Sequence, residues 1–119
     1  MKNFLSLIFL TFSFLTYSQN VAPTVADATA TITEGATGQS ISVTVSDGDS
    51  GDTWTLSVVS APSVGTVNVN GDSGFYYDHD GSEGNEVTFT YRATDDKNNE
   101  SSIATVTITV TGVNDMPTV

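Results

Sequence analysis

Alternation of apolar and polar residues is the feature that most limits how this chain can fold. Near the C-terminus, Val106, Ile108 and Val110 alternate with threonines, so one face of the segment is apolar and the other is polar. This period of two is typical of a half-buried β-strand. The apolar spacing of 3.6 residues that marks an amphipathic helix is not a feature of this sequence. The chain is therefore predicted to be all-β.

Seven segments carry this strand pattern, and clusters of Gly, Asp, Asn and Ser separate them. They are residues 30–32, 41–45, 54–58, 67–69, 75–77, 87–93 and 104–110. Short strands at this spacing within about 100 residues indicate a seven-stranded antiparallel sandwich of the immunoglobulin-like type. Trp54, early in the third strand, is the expected anchor of the core.

The first residues predict a secretory signal peptide. Lys2 supplies a positive start, and the mainly apolar run 4–15 follows it. The run is too short for a membrane span, which needs about 20 apolar residues. Cleavage after Ser18 or Gln19 would leave a module at residues 19–111 and a linker at 112–119. The product is expected to be secreted, extracellular or at the cell surface, without membrane insertion.

Charge is one-sided in the part that follows residue 18. This part contains fourteen acidic residues and only two basic ones, Arg92 and Lys97, so its formal charge is −12. Such a surface repels nucleic acid and attracts cations. Since the chain has no cysteine, disulfides cannot stabilise an exported domain, and a metal ion could fill that role.

The predicted strand order gathers the acids at two ends of the sandwich. If consecutive strands run antiparallel, the loops after the odd-numbered strands share one end, the C-terminal pole, and the loops after the even-numbered strands share the other, the N-terminal pole. Acids and one amide expected at the C-terminal pole are Glu34, Asp78, Asp80, Glu83, Asn114 and Asp115. Acids expected at the N-terminal pole are Asp47, Asp49, Asp52, Asp95 and Asp96.

Hard oxygen ligands in such caps suit Ca²⁺, which takes about 6–8 oxygens. Zinc is a poor fit because the chain has one histidine and no cysteine. The run from Asp47 to Asp52 is similar to an EF-hand loop only superficially, since Val58 stands where a bidentate Glu is required. Taken alone, the run is also compatible with an ordinary Asp/Gly turn.

The two ends of the module share a short motif. Asn-x-x-Pro-Thr-Val occurs at residues 20–25 and again at residues 114–119. Repeated borders of this kind are typical of one period in a tandem array. The chain is therefore interpreted as a single unit or a fragment of a longer protein.

Four segments together resemble the cadherin repeat, and more closely its relatives in bacterial adhesins and chondroitin-sulfate-proteoglycan-type proteins. They are Val43 to Asp52, Ala93-Thr94-Asp95, the last strand with Val113-Asn114-Asp115-Met116-Pro117, and Tyr77 to Glu83. The resemblance covers about residues 20 to 119 and implies a cadherin-like sandwich with Ca²⁺ at the joints between modules.

By this resemblance, each pole contributes its own set of metal ligands. Asp47, Asp49 and Asp95 would bind Ca²⁺ together with the linker of a preceding module. Glu34, Asn114 and Asp115, with Asp80 or Glu83 in addition, would bind it together with the following module. Two features depart from the family pattern: Val21 stands where the linker has Asp, and the box containing His79 replaces an Asp-Arg-Glu box.

The expected function is that of a non-catalytic module of a tandem-repeat adhesin or surface protein, with Ca²⁺ stiffening its joints. Its expected partners are neighbouring cadherin-like modules or a cell-surface protein or glycan. The alternative is a carbohydrate-binding or accessory spacer domain of a secreted enzyme, for which Tyr76 is the one expected surface ring. Asp78-His79-Asp80 near Ser82 does not predict a catalytic triad, because a triad needs partners held by a rigid scaffold.

Overall fold

The computed structural model describes residues 19–116. The predicted signal peptide and the last three residues, 117–119, lie outside the described residues. The described part contains β-strands and no helix, so the all-β prediction is confirmed. Its nine strands are β1 (Thr24–Val25), β2 (Ala28–Thr33), β3 (Gln39–Ser42), β4 (Val45–Ser46), β5 (Trp54–Ser60), β6 (Thr66–Asn70), β7 (Gly74–Asp78), β8 (Glu86–Asp95) and β9 (Ala104–Thr111).

The strands form two facing sheets and a small third pair. One sheet has four strands in the order β2-β9-β8-β5, the other has three in the order β3-β7-β6, and β1 pairs with β4. Every pairing is antiparallel except that of β2 with β9, which is parallel. The sandwich is therefore as predicted, whereas the count of seven strands and the all-antiparallel arrangement were wrong.

Both differences arise where the chain changes sheets. After β1 the backbone crosses to the four-stranded sheet, and two bonds hold the crossing: Tyr91 Oη donates to the carbonyl of Ala26 at 2.5 Å, and Thr105 N donates to Asp27 Oδ1 at 2.8 Å. From there β2 runs beside the last strand in the same direction. The predicted strand 41–45 is divided because β3 pairs with β7, whereas β4 pairs with β1.

The core lies between the two large sheets, where the alternation directs the apolar side chains. Phe75 is its centre: the Phe75 ring meets Phe89 and Tyr91 edge-on, with centroids 5.2 and 5.4 Å apart. Edge-to-face pairs of this kind are the favoured aromatic geometry. Trp54 is only half-buried and packs at the margin, donating from Nε1 to the Asp72 carbonyl at 2.7 Å, so it is not the core anchor predicted for it.

No helix able to cross a membrane occurs in the part of the chain that the structure describes.

Candidate metal-binding sites at the two poles

Strand pairing brings the acidic loops of the N-terminal pole together. Trp54, which follows the loop 47–53, is the register partner of Asp95 at the end of β8. The backbone N–H of Asp96 donates to the carbonyl of Thr53 at 3.0 Å. Loops that are far apart in sequence thus share one end of the sandwich.

Three carboxylates of this pole form a compact cluster, here named the N-terminal acidic group: Asp47, Asp49 and Asp52. Each offers one oxygen, and the three oxygens lie within 4.8 Å of one another. Asp47 Oδ1 accepts a hydrogen bond from the backbone N–H of Asp49 at 2.9 Å, which closes the turn. Asp49 Oδ2 accepts from the N–H of Val21 at 2.7 Å, so the segment preceding β1 contacts the group as well.

Two oxygens of the N-terminal acidic group are buried and have no hydrogen-bond partner among residues 19–116. They are Oδ2 of Asp47 and Oδ2 of Asp52. The Asp52 side chain is only 9% exposed, so the fold encloses it almost completely. Burying a carboxylate oxygen without a donor is unfavourable by about 1–3 kcal/mol or more. A hard cation ligated by these oxygens would remove that penalty, and an all-oxygen donor set suits Ca²⁺.

Asp95 lies at the same pole but is not part of this cluster. Its residue is 4% exposed, and its carboxylate accepts four hydrogen bonds: from the backbone N–H of Lys97, from both the backbone and side chain of Asn99, and from the side chain of Asn20. Although burial raises the pKa of Asp95, these donors outweigh it and lower the pKa to about 2. Asp95 therefore holds the loop 97–99 and the entering chain together, and its predicted role as a metal ligand stays a prediction.

A second cluster, the C-terminal acidic group, lies at the opposite pole and consists of Glu34, Glu83 and Asp115. One carboxylate oxygen of each lies within 4.8 Å of the others. Glu34 Oε2 also accepts from the N–H of Val113 at 3.1 Å, which fixes the start of the linker. Glu83 and Asp115 are exposed, so this group is more open than the N-terminal one.

His79 joins the two loops that carry Glu34 and Glu83. It is 5% exposed as a residue, and its Nδ1 accepts from the backbone N–H groups of Gly35 and Gly81, each at 3.0 Å. Because both neighbours are donors, Nδ1 carries no proton. His79 therefore holds together the two loops that carry Glu34 and Glu83 of the C-terminal acidic group.

The remaining predicted ligands of the C-terminal pole lie outside the group. Asp80 Oδ1 accepts from the backbone N–H and the hydroxyl of Ser82, at 2.9 and 2.6 Å, and these bonds lower the pKa of Asp80. Asn114 is exposed on the linker. The hydroxyl of Ser82 thus faces Asp80, while Nδ1 of His79 is occupied by backbone donors.

Two further residues belong to the N-terminal pole: Asp52, which the sequence placed at this pole without assigning it as a ligand, and Lys97, to which the sequence assigned no role. Lys97 Nζ lies 2.6 Å from Asp52 Oδ1. Asp52 precedes β5 by two residues and Lys97 follows β8 by two residues, and β5 pairs with β8. The predicted strand order already put the loops that carry these two residues at one pole, but it did not specify the pairing of β5 with β8 that brings Asp52 and Lys97 together.

Comparisons with known proteins support the fold. A family model described as a bacterial cadherin-like domain matches residues 20–112. Among solved structures, Drosophila N-cadherin EC1-4 is similar with a TM-score of 0.55 and 22% identity, over 81% of this chain and 26% of that one. The chain therefore spans about a quarter of that structure.

Two further structures match more loosely. The M1 domain from titin has a TM-score of 0.41 and 14% identity, over 81% of this chain and 98% of that one. The PKD domain from human KIAA0319 has a TM-score of 0.43 and 14% identity, over 87% of this chain and 95% of that one. The search of curated proteins gave no match.

Proposed function

The chain belongs to the bacterial cadherin-like domain family, and from this premise we propose that it is a secreted, calcium-binding module of a tandem-repeat adhesin or surface protein. The family is typically non-catalytic. One observation carries the calcium proposal: the N-terminal acidic group holds two buried carboxylate oxygens to which no group in the described part of the chain donates a hydrogen bond.

The charge balance of the pole supports a divalent cation. Three carboxylates at mutual distances within 4.8 Å repel one another, and the repulsion is strongest where water is excluded. Calcium would offset this repulsion mainly in the folded state, because the unfolded chain keeps the three acids near one another in sequence but does not hold their oxygens in a fixed arrangement. Binding would therefore appear as added stability.

The C-terminal acidic group would supply the facing half of a joint to the next module. Its acids are mostly exposed, and Val113 at the start of the linker is tied to Glu34, so a following module would begin close to the group. Calcium held between two such poles would stiffen the array and set the distance that it spans. This is the adhesion role proposed for the parent protein.

The alternative of a carbohydrate-binding module has less support. Sugar platforms use several exposed aromatic faces, and Tyr76, at 44% exposure, is the exposed aromatic side chain among residues 19–116. Its register partners Ser40 and Asn68 add no second ring.

The test is thermal unfolding of the protein with Ca²⁺ and with a chelator. Calcium at about five times its Kd should add about 1 kcal/mol of stability, a rise of about 4–8 °C in Tm for a domain of this size. Asp52→Asn should remove most of this rise. Asp72→Asn is the matched control, because it removes an equal charge from a residue outside both acidic groups. A protein whose Tm is the same in chelator and in millimolar Ca²⁺ would rule out the proposal.

A further inference from the structure

Lys97 is the one lysine of residues 19–116, and it lies against the N-terminal acidic group. Its Nζ is 2.6 Å from Asp52 Oδ1 and 3.4 Å from Asp96 Oδ1. The other basic residue of this part, Arg92, pairs instead with Glu100 at 2.7 Å. Among the described residues, the N-terminal acidic group therefore has a single ammonium beside it.

The two members of the Lys97–Asp52 pair differ in their freedom. The Asp52 side chain is 9% exposed and the Lys97 side chain is 50% exposed. The carboxylate is thus enclosed by the fold, while the ammonium reaches it from solvent on a flexible stem. Lysine ammonium groups are compact, strongly hydrated point charges, and such a group can leave a carboxylate without a change in the backbone.

The backbone near Lys97 is held in place independently of its charge. Its N–H donates to Asp95 Oδ1 at 2.9 Å, within the loop that Asp95 organises. The side chain therefore starts from a fixed point next to the N-terminal acidic group. Three carboxylates and one ammonium leave a formal charge of −2 on this cluster, which one divalent cation would neutralise.

We propose that Lys97 is a built-in counter-ion of the N-terminal acidic group, which stabilises the metal-free module and weakens its affinity for a divalent cation. The inference depends on the proposed calcium function of that group. In the metal-free state the ammonium offsets part of the repulsion among Asp47, Asp49 and Asp52. In the bound state it opposes the incoming cation by like charge, and it competes for Oδ1 of Asp52.

The experiment compares Lys97→Met with the matched control Arg92→Met, which removes the same charge from outside the cluster. Calcium affinity is measured by calorimetry in a background with Glu34→Gln and Glu83→Gln, so that the C-terminal acidic group does not contribute. Lys97→Met should tighten Ca²⁺ binding by roughly fivefold or more, the effect of removing one like charge a few ångströms away even in a water-like dielectric. Arg92→Met should change it by less than about twofold.

A second arm needs no metal. In chelator, Lys97→Met should lower the Tm of the otherwise unchanged protein by clearly more than it lowers the Tm of the Asp52→Asn variant, because Asp52 is the carboxylate closest to the ammonium. If Lys97→Met leaves calcium affinity unchanged or weakens it, the inference is overturned while the proposed function stands. If no variant binds calcium, the proposed function fails. The counter-ion role is then decided by the chelator arm alone, and it is overturned if Lys97→Met lowers the Tm equally with Asp52 and with Asn at position 52.

Discussion

Individual side chains at the two poles differ in how completely their polar atoms are paired. The carboxylate of Asp95 accepts four hydrogen bonds, whereas Asp47 and Asp52 each have a buried oxygen that accepts none from the residues that the structure describes. The first arrangement is that of a structural brace, because the charge is satisfied within the chain. In the second arrangement a buried carboxylate oxygen lacks a donor, and an external cation could ligate that oxygen.

The low pKa of Asp95 gives a pH prediction. Its folded value of about 2 lies below the ordinary value of 3.8, so its ionised form stabilises the fold at neutral pH. This contribution is fully present above about pH 4 and is lost as the pH falls through about 2. The Tm difference between the wild type and Asp95→Asn should therefore shrink over that acidic range. Asp72→Asn serves as the reference, and a gap for Asp95→Asn that stays constant down to about pH 2 would contradict the assignment.

His79 gives a second prediction at this scale. His79→Ala would leave the N–H groups of Gly35 and Gly81 without their acceptor, and we expect a loss of about 1–3 kcal/mol in the free energy of unfolding. Chemical denaturation measures this loss. His79→Asn, whose amide oxygen can accept one such bond, should be less harmful. The calcium response of the N-terminal acidic group, at the other pole, should persist in both variants.

At the scale of elements, the turn between β5 and β6 fits tightly against β7. Gly65 has φ of +76°, and a Cβ there would meet the backbone oxygen of Asp78 and the side chain of Tyr77. Tyr77 Oη also donates to the carbonyl of Val64 at 2.6 Å. Glycine is thus required at position 65 both by the backbone angle and by the space available.

Gly71, in the turn between β6 and β7, provides the control. It has φ of +65°, but a Cβ at this position would meet no atom of the described residues within 4 Å, so Gly71 has the same unusual backbone angle without the clash. We expect Gly71→Ala to destabilise the protein by about 1 kcal/mol and Gly65→Ala by about 2–4 kcal/mol, since close contact is added. Equal losses in a denaturant titration would show that the close approach is not significant.

The whole molecule is dominated by its negative charge. With fourteen acids and two bases after residue 18, the folded state brings like charges closer together than the unfolded chain does. Added salt shortens the Debye length from about 30 Å at 0.01 M to about 8 Å at 0.15 M and so weakens this repulsion.

We therefore expect Tm in chelator to rise by several degrees when NaCl is raised over that range. With saturating Ca²⁺ the rise should be smaller, because part of the charge is then neutralised in place. Differential scanning calorimetry of the same protein in both buffers gives the comparison. An equal dependence on salt with and without calcium would mean that the metal does not relieve the repulsion.

Much of the fold could be predicted from local pattern. Six of the seven predicted segments lie entirely within strands, from the one at residues 30–32 within β2 to the one at residues 104–110 within β9, and the segment 41–45 is divided between β3 and β4. Alternation succeeds here because a residue's side in a strand depends only on its position along that strand. Thr24 and Val25 were missed because a two-residue strand has no period to detect.

The candidate sites were only partly within reach of the sequence. The acidic loops could be assigned to the two poles from strand order alone. That assignment requires only the direction in which each strand runs, and not the distances between side chains. Asp52 is the third member of the N-terminal acidic group because one of its oxygens lies within 4.8 Å of those of Asp47 and Asp49, whereas the carboxylate of Asp95 accepts four hydrogen bonds outside the group. The side-chain donors to Asp95 are Asn20 and Asn99, which are 75 and 4 positions away from it.

By itself, the sequence determined the sandwich, the inward face of most strands and the concentration of acids in the loops, because periodicity and loop chemistry are local properties of the chain. Tertiary structure alone decided the parallel entry of β2 beside β9, the orphaned oxygens of Asp47 and Asp52, and the contact of Lys97 with Asp52. Each of these features depends on contacts between segments that are distant in sequence. Such contacts form only when the two sheets pack against each other around the core.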